Sequence, residues 1–189
     1  MMLYTIEHRV RKLIWMMRGA LLTLYLRVHG CSVGRSLKCK DWPIFRRVPW
    51  CNVRFGNHVT VGYRVTFDVG RGGMLVIDNN VNLTQDIIIS CICSVSIGPY
   101  SGIGEYTSIR DGEHGYKRTS RIHDQEVSMS PIIIGADVQV SRGCMILPGS
   151  NVSDGVIIGA NTIVTRNLIT RPYGIYMGVP AKCIGERPQ

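Results

Sequence analysis

The residues best suited to acid–base chemistry lie in one polar segment, residues 111–131, which begins Asp-Gly-Glu-His-Gly-Tyr. An imidazole can accept a proton near neutral pH, so His114 is a candidate general base. Glu113 or Asp111 is near enough in sequence to orient that imidazole. A solvated histidine in a polar loop has the same appearance, so the residues alone leave both interpretations open.

Metal and disulfide chemistry find no support in the spacing of the other reactive residues. The seven cysteines lack Cys-x-x-Cys spacing. The five histidines, at positions 8, 29, 58, 114 and 123, are not spaced as the ligands of one metal ion would be. We therefore expect no metal site, no disulfide framework and free, buried thiols in a reducing compartment. The spacing also argues against a zinc-dependent carbonic anhydrase, which needs three convergent histidines.

A repeat of six residues predicts the element that must position the polar segment. One apolar row consists of Ile134, Val140, Ile146, Val152, Ile158 and Val164, and a mostly uncharged row four positions later consists of Val138, Cys144, Ser150, Val156, Thr162 and Leu168. A helix repeats its apolar face every 3.6 residues and a strand every second residue. A period of six instead indicates a coil with short flat sides, so we expect a parallel β-helix whose turns cover one another.

The same step occurs earlier in the chain, with small offsets, in three groups: Phe55, Val61 and Phe67; Ile77, Leu83 and Ile89; Ile97, Ile103 and Ile109. Glycine or asparagine follows many of these positions, as corners with positive φ require. Residues 111–131 break the step completely, and long loops inside compact repeats are usually functional. The predicted fold class is therefore all-β: a parallel β-helix over residues 31–170 with one projecting loop at 111–131.

Residues 1–30 predict a basic, amphipathic α-helix. Its apolar residues step by three or four from Ile6 to Val28, and arginine and lysine residues occupy other angles. The apolar stretch is shorter than the ~20 residues that span a bilayer, and Arg18 lies in its middle. Two placements stay open: packing over the open end of the coil, or peripheral contact with an anionic membrane surface.

Composition favours one globular domain with an anionic partner. The chain has 189 residues, of which 45% are hydrophobic and 19% charged, and its formal net charge is +9. The basic residues are scattered and no nucleic-acid-binding motif is present, so we expect no nucleic-acid partner. No cleavable signal peptide is apparent. We therefore expect a cytoplasmic protein, at the inner face of the membrane if the helix binds there.

Four segments resemble the hexapeptide-repeat acyltransferases, and among them the sugar O-acetyltransferases of the galactoside, maltose and O-antigen type. These segments are DGEHGY at the start of the loop, SPIIIG, VIIGANTIVTR and the closing GVPAK. The resemblance covers residues 55–184. It implies a left-handed β-helix, a homotrimer, acetyl-CoA bound between neighbouring subunits without a metal, and a closing segment at residues 171–189.

The resemblance also implies roles for single residues. His114 stands where the family has its catalytic histidine, five positions after Ile109, whereas His123 fits no family position. Gln139 stands where many members have tryptophan, and the N-terminal helix looks closer to the polysaccharide-modifying branch than to the galactoside and maltose enzymes. The implied cofactor contacts are Ser141, Ala160, Thr165, Arg166 and Lys182, and the implied acceptor contacts are Asn80, Asn82 and Glu113.

From these observations we expect a transferase that moves an acetyl group from acetyl-CoA to a sugar hydroxyl, with His114 as general base. The expected acceptor is a bacterial surface polysaccharide or its precursor. Two alternatives stay open. The same fold could acetylate an antibiotic or an amino-sugar nitrogen, or the coil could be a non-enzymatic scaffold whose loop recognises a partner.

Overall fold

A computed structural model describes the backbone of residues 2–189 and the side chains of residues 7–189. These residues form one α-helix, α1 (Met2–Val28), a 3-10 helix (Ile122–Asp124) and 22 strands. In chain order the strands are β1 (Ser32–Val33), β2 (Lys38–Cys39), β3 (Ile44–Phe45), β4 (Val53–Phe55), β5 (Thr60–Tyr63), β6 (Thr66–Val69), β7 (Met74–Ile77), β8 (Asn82–Gln85), β9 (Ile88–Cys91), β10 (Ser94–Ile97), β11 (Gly102–Ile103), β12 (Ser108–Arg110), β13 (Gly112–His114), β14 (Val127–Met129), β15 (Ile132–Ile134), β16 (Gln139–Val140), β17 (Met145–Ile146), β18 (Asn151–Val152), β19 (Ile157–Ile158), β20 (Ile163–Val164), β21 (Gly174–Gly178) and β22 (Ala181–Glu186).

Three parallel sheets form the faces of a coil of about seven turns. The first face contains β1, β4, β7, β10, β15 and β18; the second contains β2, β5, β8, β11, β16, β19 and β21; the third contains β3, β6, β9, β12, β17 and β20. Each strand pairs with the strand one turn further along, so Val140 lies between Ile103 and Ile158. The parallel β-helix expected from the six-residue period is confirmed.

The two rows of the repeat form the core. All six members of the first row are buried, and so are the members of the second row up to Thr162, while Leu168 is half-buried. The hydroxyl groups of the small polar residues in the second row donate hydrogen bonds to backbone carbonyls at the corners. Ser150 Oγ, for example, donates to the carbonyl of Leu147 over 2.7 Å. Buried hydroxyls paired in this way let short polar residues occupy the interior near a corner.

The departures from the six-residue step between residues 33 and 164 all lie on one edge of the coil. We call the corner between the first and second faces the first edge, that between the second and third faces the second edge, and that between the third and first faces the loop edge. The first and second edges keep the six-residue step. Across the loop edge the separations are ten for Phe45 to Phe55, ten for Phe67 to Ile77, eight for Ile89 to Ile97, 25 for Ile109 to Ile134 and six for Ile146 to Val152.

Helix α1 covers the first turn of the coil with a face other than the stripe found in the sequence. Leu22 and Leu26 are fully buried, and a Cβ added to Gly19 would lie 1.9 Å from the carbonyl oxygen of Leu37. The missing side chain at Gly19 therefore lets this side of the helix approach the coil most closely. The stripe lies on the opposite side and is exposed at Val10, Leu13, Met17, Leu21, Leu24 and Val28.

The C-terminal residues close the other end of the second face. Strand β21 pairs in parallel with β19, and β22 folds back antiparallel to β21. Tyr176 on β21 is buried, and its hydroxyl accepts a hydrogen bond from the backbone N–H of Arg171 over 2.7 Å. This hairpin therefore extends the second face beyond the last complete turn.

Candidate active site

The projecting loop is anchored at its base by Asp111. This residue is fully buried, and its carboxylate accepts hydrogen bonds from the backbone N–H groups of Ile92 and Cys93, each over 2.8 Å. Its own carbonyl accepts from the N–H of Ser130, at the other end of the loop, over 2.9 Å. Asp111 thus joins both ends of the loop to the preceding corner, and its carboxylate is engaged by backbone rather than by an imidazole.

Above this base, β13 and β14 form a two-stranded antiparallel ribbon in which His114 lies opposite Val127. A Cβ added to Gly112 would lie 2.4 Å from Cδ1 of Ile92, so the ribbon leaves the coil at a position where a side chain would fit only if Ile92 shifted. The coil therefore holds the ribbon directly, and the exposed imidazole of His114 stands at its outer end.

A second histidine lies against His114. The ring centroids of His114 and His123 are 5.7 Å apart, and the ring planes meet at 77°. His123 belongs to the 3-10 helix, which folds back over the ribbon. His114 and His123 are nine residues apart, a separation that matches no helix or strand period, so sequence patterns do not predict the contact. The sequence indicated no role for His123.

The rest of the loop is stiffened by Gln125. Its Oε1 accepts from the N–H of Lys117 over 2.8 Å, and its Nε2 donates to the carbonyls of Lys117 and Ser120 over 2.8 and 3.0 Å. This amide closes the wall of a cavity of about 560 Å³ that also includes Gly115, Tyr116 and Val127. The polar loop is consequently an organised element, with a hollow beside the histidine ribbon.

Glu113 and Arg166, predicted for the acceptor and the cofactor respectively, are brought together. Arg166 Nη2 donates to Glu113 Oε1 over 2.9 Å, and both side chains are about half exposed. Arg166 and Thr165 follow β20 and lie on the loop edge. This edge therefore presents the imidazole of His114 and the guanidinium of Arg166.

The remaining predicted cofactor residues lie elsewhere on the chain. Ser141 and Ala160 occupy successive corners of the second edge, where Ser141 N–H donates to the carbonyl of Ile158 over 2.9 Å. Ala160 is exposed and Ser141 half-buried. Lys182 is exposed on β22, beside the second face. A single chain thus distributes the five residues over the second edge, the closing hairpin and the loop edge.

Of the two predicted acceptor asparagines, Asn80 lies on the first edge and Asn82 begins β8 on the second face. Asn80 has φ 59°, and its N–H donates to the carbonyl of Asn57 one turn earlier over 2.8 Å. Asparagine is among the residues that tolerate this left-handed conformation, which accounts for its type at the corner. Both Asn80 and Asn82 are exposed, and within one chain neither lies on the loop edge that carries His114.

Two further properties concern the chain as described. Among residues 7–189, no three histidine, cysteine, aspartate or glutamate side chains converge as a metal site would require. Over the described length of α1, the sequence is not apolar enough for the helix to cross a bilayer.

Comparison with known proteins identifies related acyltransferases, although no family model matches the chain. WbbJ of Escherichia coli strain K12, named as a lipopolysaccharide biosynthesis O-acetyl transferase, is 28% identical over 141 residues, which cover 70% of this chain and 71% of WbbJ. An Escherichia coli dTDP-4-amino-4,6-dideoxy-D-glucose acyltransferase is 26% identical over 162 residues, which cover 82% of each chain.

Solved structures show the same fold. A variant of AntD, an N-acyltransferase from Bacillus cereus crystallised with dTDP and coenzyme A, superimposes with a TM-score of 0.69 at 19% identity, covering 86% of this chain and 87% of AntD. The molecule is therefore a left-handed parallel β-helix of the acyltransferase type. The fold and the sequence matches confirm the resemblance to the hexapeptide-repeat sugar acyltransferase family, and they support an acyl-CoA-dependent transferase that acts on sugars.

Proposed function

We propose that the protein transfers the acetyl group of acetyl-CoA to a hydroxyl of a surface-polysaccharide sugar or its precursor, with His114 as the general base. The observation that carries the proposal is the exposed imidazole of His114 at the end of a ribbon that buried Asp111 locks to the coil. A general base must be held where it can reach the attacking hydroxyl. The similarity to WbbJ supports a polysaccharide acceptor.

Acetyl-CoA, when bound, supplies an acetyl group activated as a thioester. His114 takes the proton of the acceptor hydroxyl while the hydroxyl oxygen forms its bond to the acetyl carbon and the carbon–sulfur bond breaks. His114 then returns the proton to the departing sulfur, so the histidine is unchanged after each turnover. Proton transfer of this kind contributes about 10² to 10⁴ in rate. The His123 ring restricts the orientations open to the imidazole of His114.

The residues matched to the cofactor suit its parts. Ser141 and Ala160 are small residues at outward corners, which leaves backbone groups accessible to a thin pantetheine arm. Arg166 and Lys182 are exposed cations able to bind phosphates, with Thr165 beside Arg166. Because Arg166 is paired with Glu113, an arriving phosphate would share or replace that carboxylate.

The distribution of these residues supports a homotrimer. The second edge, with Ser141 and Ala160, and the loop edge, with His114 and Arg166, are separate corners of one chain. A neighbouring copy placed against the loop edge would complete the site between subunits, and it would supply Asn80 from its first edge and Asn82 from the adjoining end of β8. Light scattering should then give three times the 21.1 kDa mass of the chain. A monomer that is fully active would contradict the shared site.

We also propose that α1 holds the enzyme at the inner, anionic surface of the membrane. Its outer stripe is exposed by between 50 and 74% at Val10, Leu13, Met17, Leu21, Leu24 and Val28. At 3.6 residues per turn, Arg9 and Arg27 lie along one border of this stripe. An apolar stripe beside basic side chains fits the headgroup region of an anionic leaflet.

Vesicle sedimentation tests this placement. The protein should co-sediment with vesicles that contain phosphatidylglycerol and much less with vesicles of phosphatidylcholine. Leu21→Glu should abolish the binding. Ile169→Glu is the control, since Ile169 is also an exposed apolar residue, 88% against 60% for Leu21, and lies at the other end of the coil. Vesicle-independent association of trimers, lost in Leu21→Glu, would instead assign the stripe to a second copy of the chain.

Acylation of an amino-sugar nitrogen is the second candidate, because the similarity to the amino-sugar acyltransferase covers 82% of both chains. Calorimetry with acetyl-CoA, followed by an acceptor panel in which released coenzyme A thiol is measured, separates the options. The panel contains polysaccharide precursors, an amino sugar linked to dTDP, and chloramphenicol. We expect release with a hydroxyl acceptor. Release with the amino sugar alone would contradict O-acetylation, and release with chloramphenicol alone, which accepts on a hydroxyl, would contradict a sugar acceptor. Absence of acetyl-CoA binding would contradict any transferase and favour a scaffold.

A further inference from the structure

A second concave site lies on the loop edge, at the turns that precede the histidine ribbon. The long corners at residues 46–52 and 69–73 enclose a groove of about 820 Å³. Its lining includes Arg47, Val48, Trp50, Asn52, Gly70 and Arg71. None of these residues belongs to the site described above.

The groove has a fixed floor. Asn52 is buried, and its Nδ2 donates to the carbonyls of Gly70 and Gly73 over 2.8 and 2.7 Å. These two hydrogen bonds hold the corner that carries Arg71. Trp50, which also lines the groove, is 64% exposed, so a large flat ring is available to a ligand.

The groove is positively charged. Arg47 and Arg46 both face Asp68, at 3.1 and 3.9 Å. Arg71 makes no ion pair with any residue whose side chain is described, so three arginines, of which Arg47 and Arg71 line the groove, stand against one carboxylate. Guanidinium groups bind phosphate oxygens in a planar, two-point geometry, and exposed aromatic rings stack on nucleobases.

The groove is connected to the histidine ribbon through Ile92. The N–H of Gly70 donates to the carbonyl of Cys91 over 2.7 Å, so its corner stacks on the corner at residues 92–93. That corner binds the carboxylate of Asp111 and contacts the position of Gly112. Adjacent turns are about 4.8 Å apart, so the groove lies roughly 10 Å along the edge from the base of the ribbon.

We infer that this groove binds the nucleoside diphosphate of a nucleotide-linked sugar acceptor, with the phosphates between Arg47 and Arg71 and the base against Trp50. The inference rests on the proposed function and specifies its acceptor as a sugar carried on a nucleotide. The sugar would extend from the groove along the loop edge toward His114.

Calorimetry with dTDP, inorganic pyrophosphate and farnesyl diphosphate tests the assignment. Arg71→Ala should weaken dTDP binding about tenfold or more, and Trp50→Ala should weaken dTDP but leave pyrophosphate unchanged. Arg171→Ala is the charge-matched control at the far end of the coil and should leave dTDP binding unaltered. Acetyl-CoA affinity should be the same in all three variants, which makes the result independent of whether transferase activity is found.

Three outcomes would overturn the assignment. Equal dTDP affinity in Arg71→Ala, Trp50→Ala and the control would remove the groove from nucleotide binding. Tight binding of farnesyl diphosphate that depends on Arg71 but not on Trp50 would assign the groove to a lipid-linked diphosphate. Competition between acetyl-CoA and dTDP, with both weakened in Arg71→Ala, would assign it to the donor.

Discussion

Arg166 donates a 2.9 Å hydrogen bond to Glu113 and so connects the corner after β20 to the ribbon that carries His114. Both side chains are about half exposed, so the pair itself contributes little to folding stability, about 0–1 kcal/mol. Its consequence is positional, because it holds a guanidinium beside the strand that bears the imidazole. A phosphate arriving there meets a cation that is already oriented.

Replacing Arg166 should therefore affect the phosphate-bearing donor selectively. We expect Arg166→Ala to raise the Kd for acetyl-CoA about tenfold, because a charged hydrogen bond to phosphate is lost, and to leave the weak binding of S-acetyl-pantetheine unchanged. Calorimetry with both compounds checks this, and Arg171→Ala serves as the charge control. Unchanged acetyl-CoA affinity would mean that Arg166 has only a structural role, which is to hold the ribbon through Glu113.

The buried carboxylate of Asp111 should matter for stability as well as activity. Asp111→Ala leaves the N–H groups of Ile92 and Cys93 without their acceptor, and we expect the free energy of unfolding to fall by roughly 2–4 kcal/mol. Urea unfolding measures the loss, and limited proteolysis should show faster cleavage within the loop. Asp124→Ala, at an exposed loop position, is the control. Equal stability of the two variants would refute the anchoring role.

Close stacking of the turns predicts which glycines can be changed. A Cβ added to Gly62 on β5 would lie 1.2 Å from the carbonyl oxygen of Thr84, whereas one added to Gly185 meets nothing within 4 Å. Gly62→Ala should thus destabilise the coil by about 3 kcal/mol or more, and Gly185→Ala should be nearly neutral. Thermal unfolding of the two variants decides the point. A neutral Gly62→Ala would mean that the turns are less tightly stacked.

Thiol reactivity should separate core from surface. Burial is the largest influence on four thiols. It raises the pKa of Cys31 and Cys39 to about 11 and that of Cys91 to about 12, and it also raises the pKa of Cys144. Raised pKa values keep these groups protonated, and so unreactive, well above pH 8. At that pH a disulfide reagent should modify the exposed Cys51 and Cys183 rapidly, and all seven thiols only after unfolding. Rapid modification of Cys91 in the folded protein would contradict its burial.

The six-residue period predicted the coil because it reflects direct stacking, in which each inward residue lies over its equivalent one turn away. Val140 and Ile158 are such a pair, and their 18-residue separation repeats the step three times. The period also located the loop as its interruption. The period did not reveal that the smaller offsets earlier in the chain lie on the same edge as the loop. Assigning an offset to an edge requires the turns to be counted across all three faces.

Other features of the structure could not be predicted from sequence patterns, for physical reasons. Helix α1 has two apolar sides, and the choice between them depends on the close approach at Gly19, which no periodicity encodes. The contact between His114 and His123 depends on how the loop folds back, and the pair of Glu113 and Arg166 joins positions 53 residues apart. Such contacts arise only once the turns are stacked.

The central claim is most directly tested by the turnover and donor affinity of His114→Ala, measured side by side. We expect kcat to fall by at least about 10²-fold, because the proton acceptor is lost, while the Kd for acetyl-CoA and the oligomeric mass stay the same. His58→Asn, which retains a residue type suited to the positive φ of that exposed corner, should behave as the unsubstituted protein. If His114→Ala keeps more than about a tenth of the activity, His114 is not the general base.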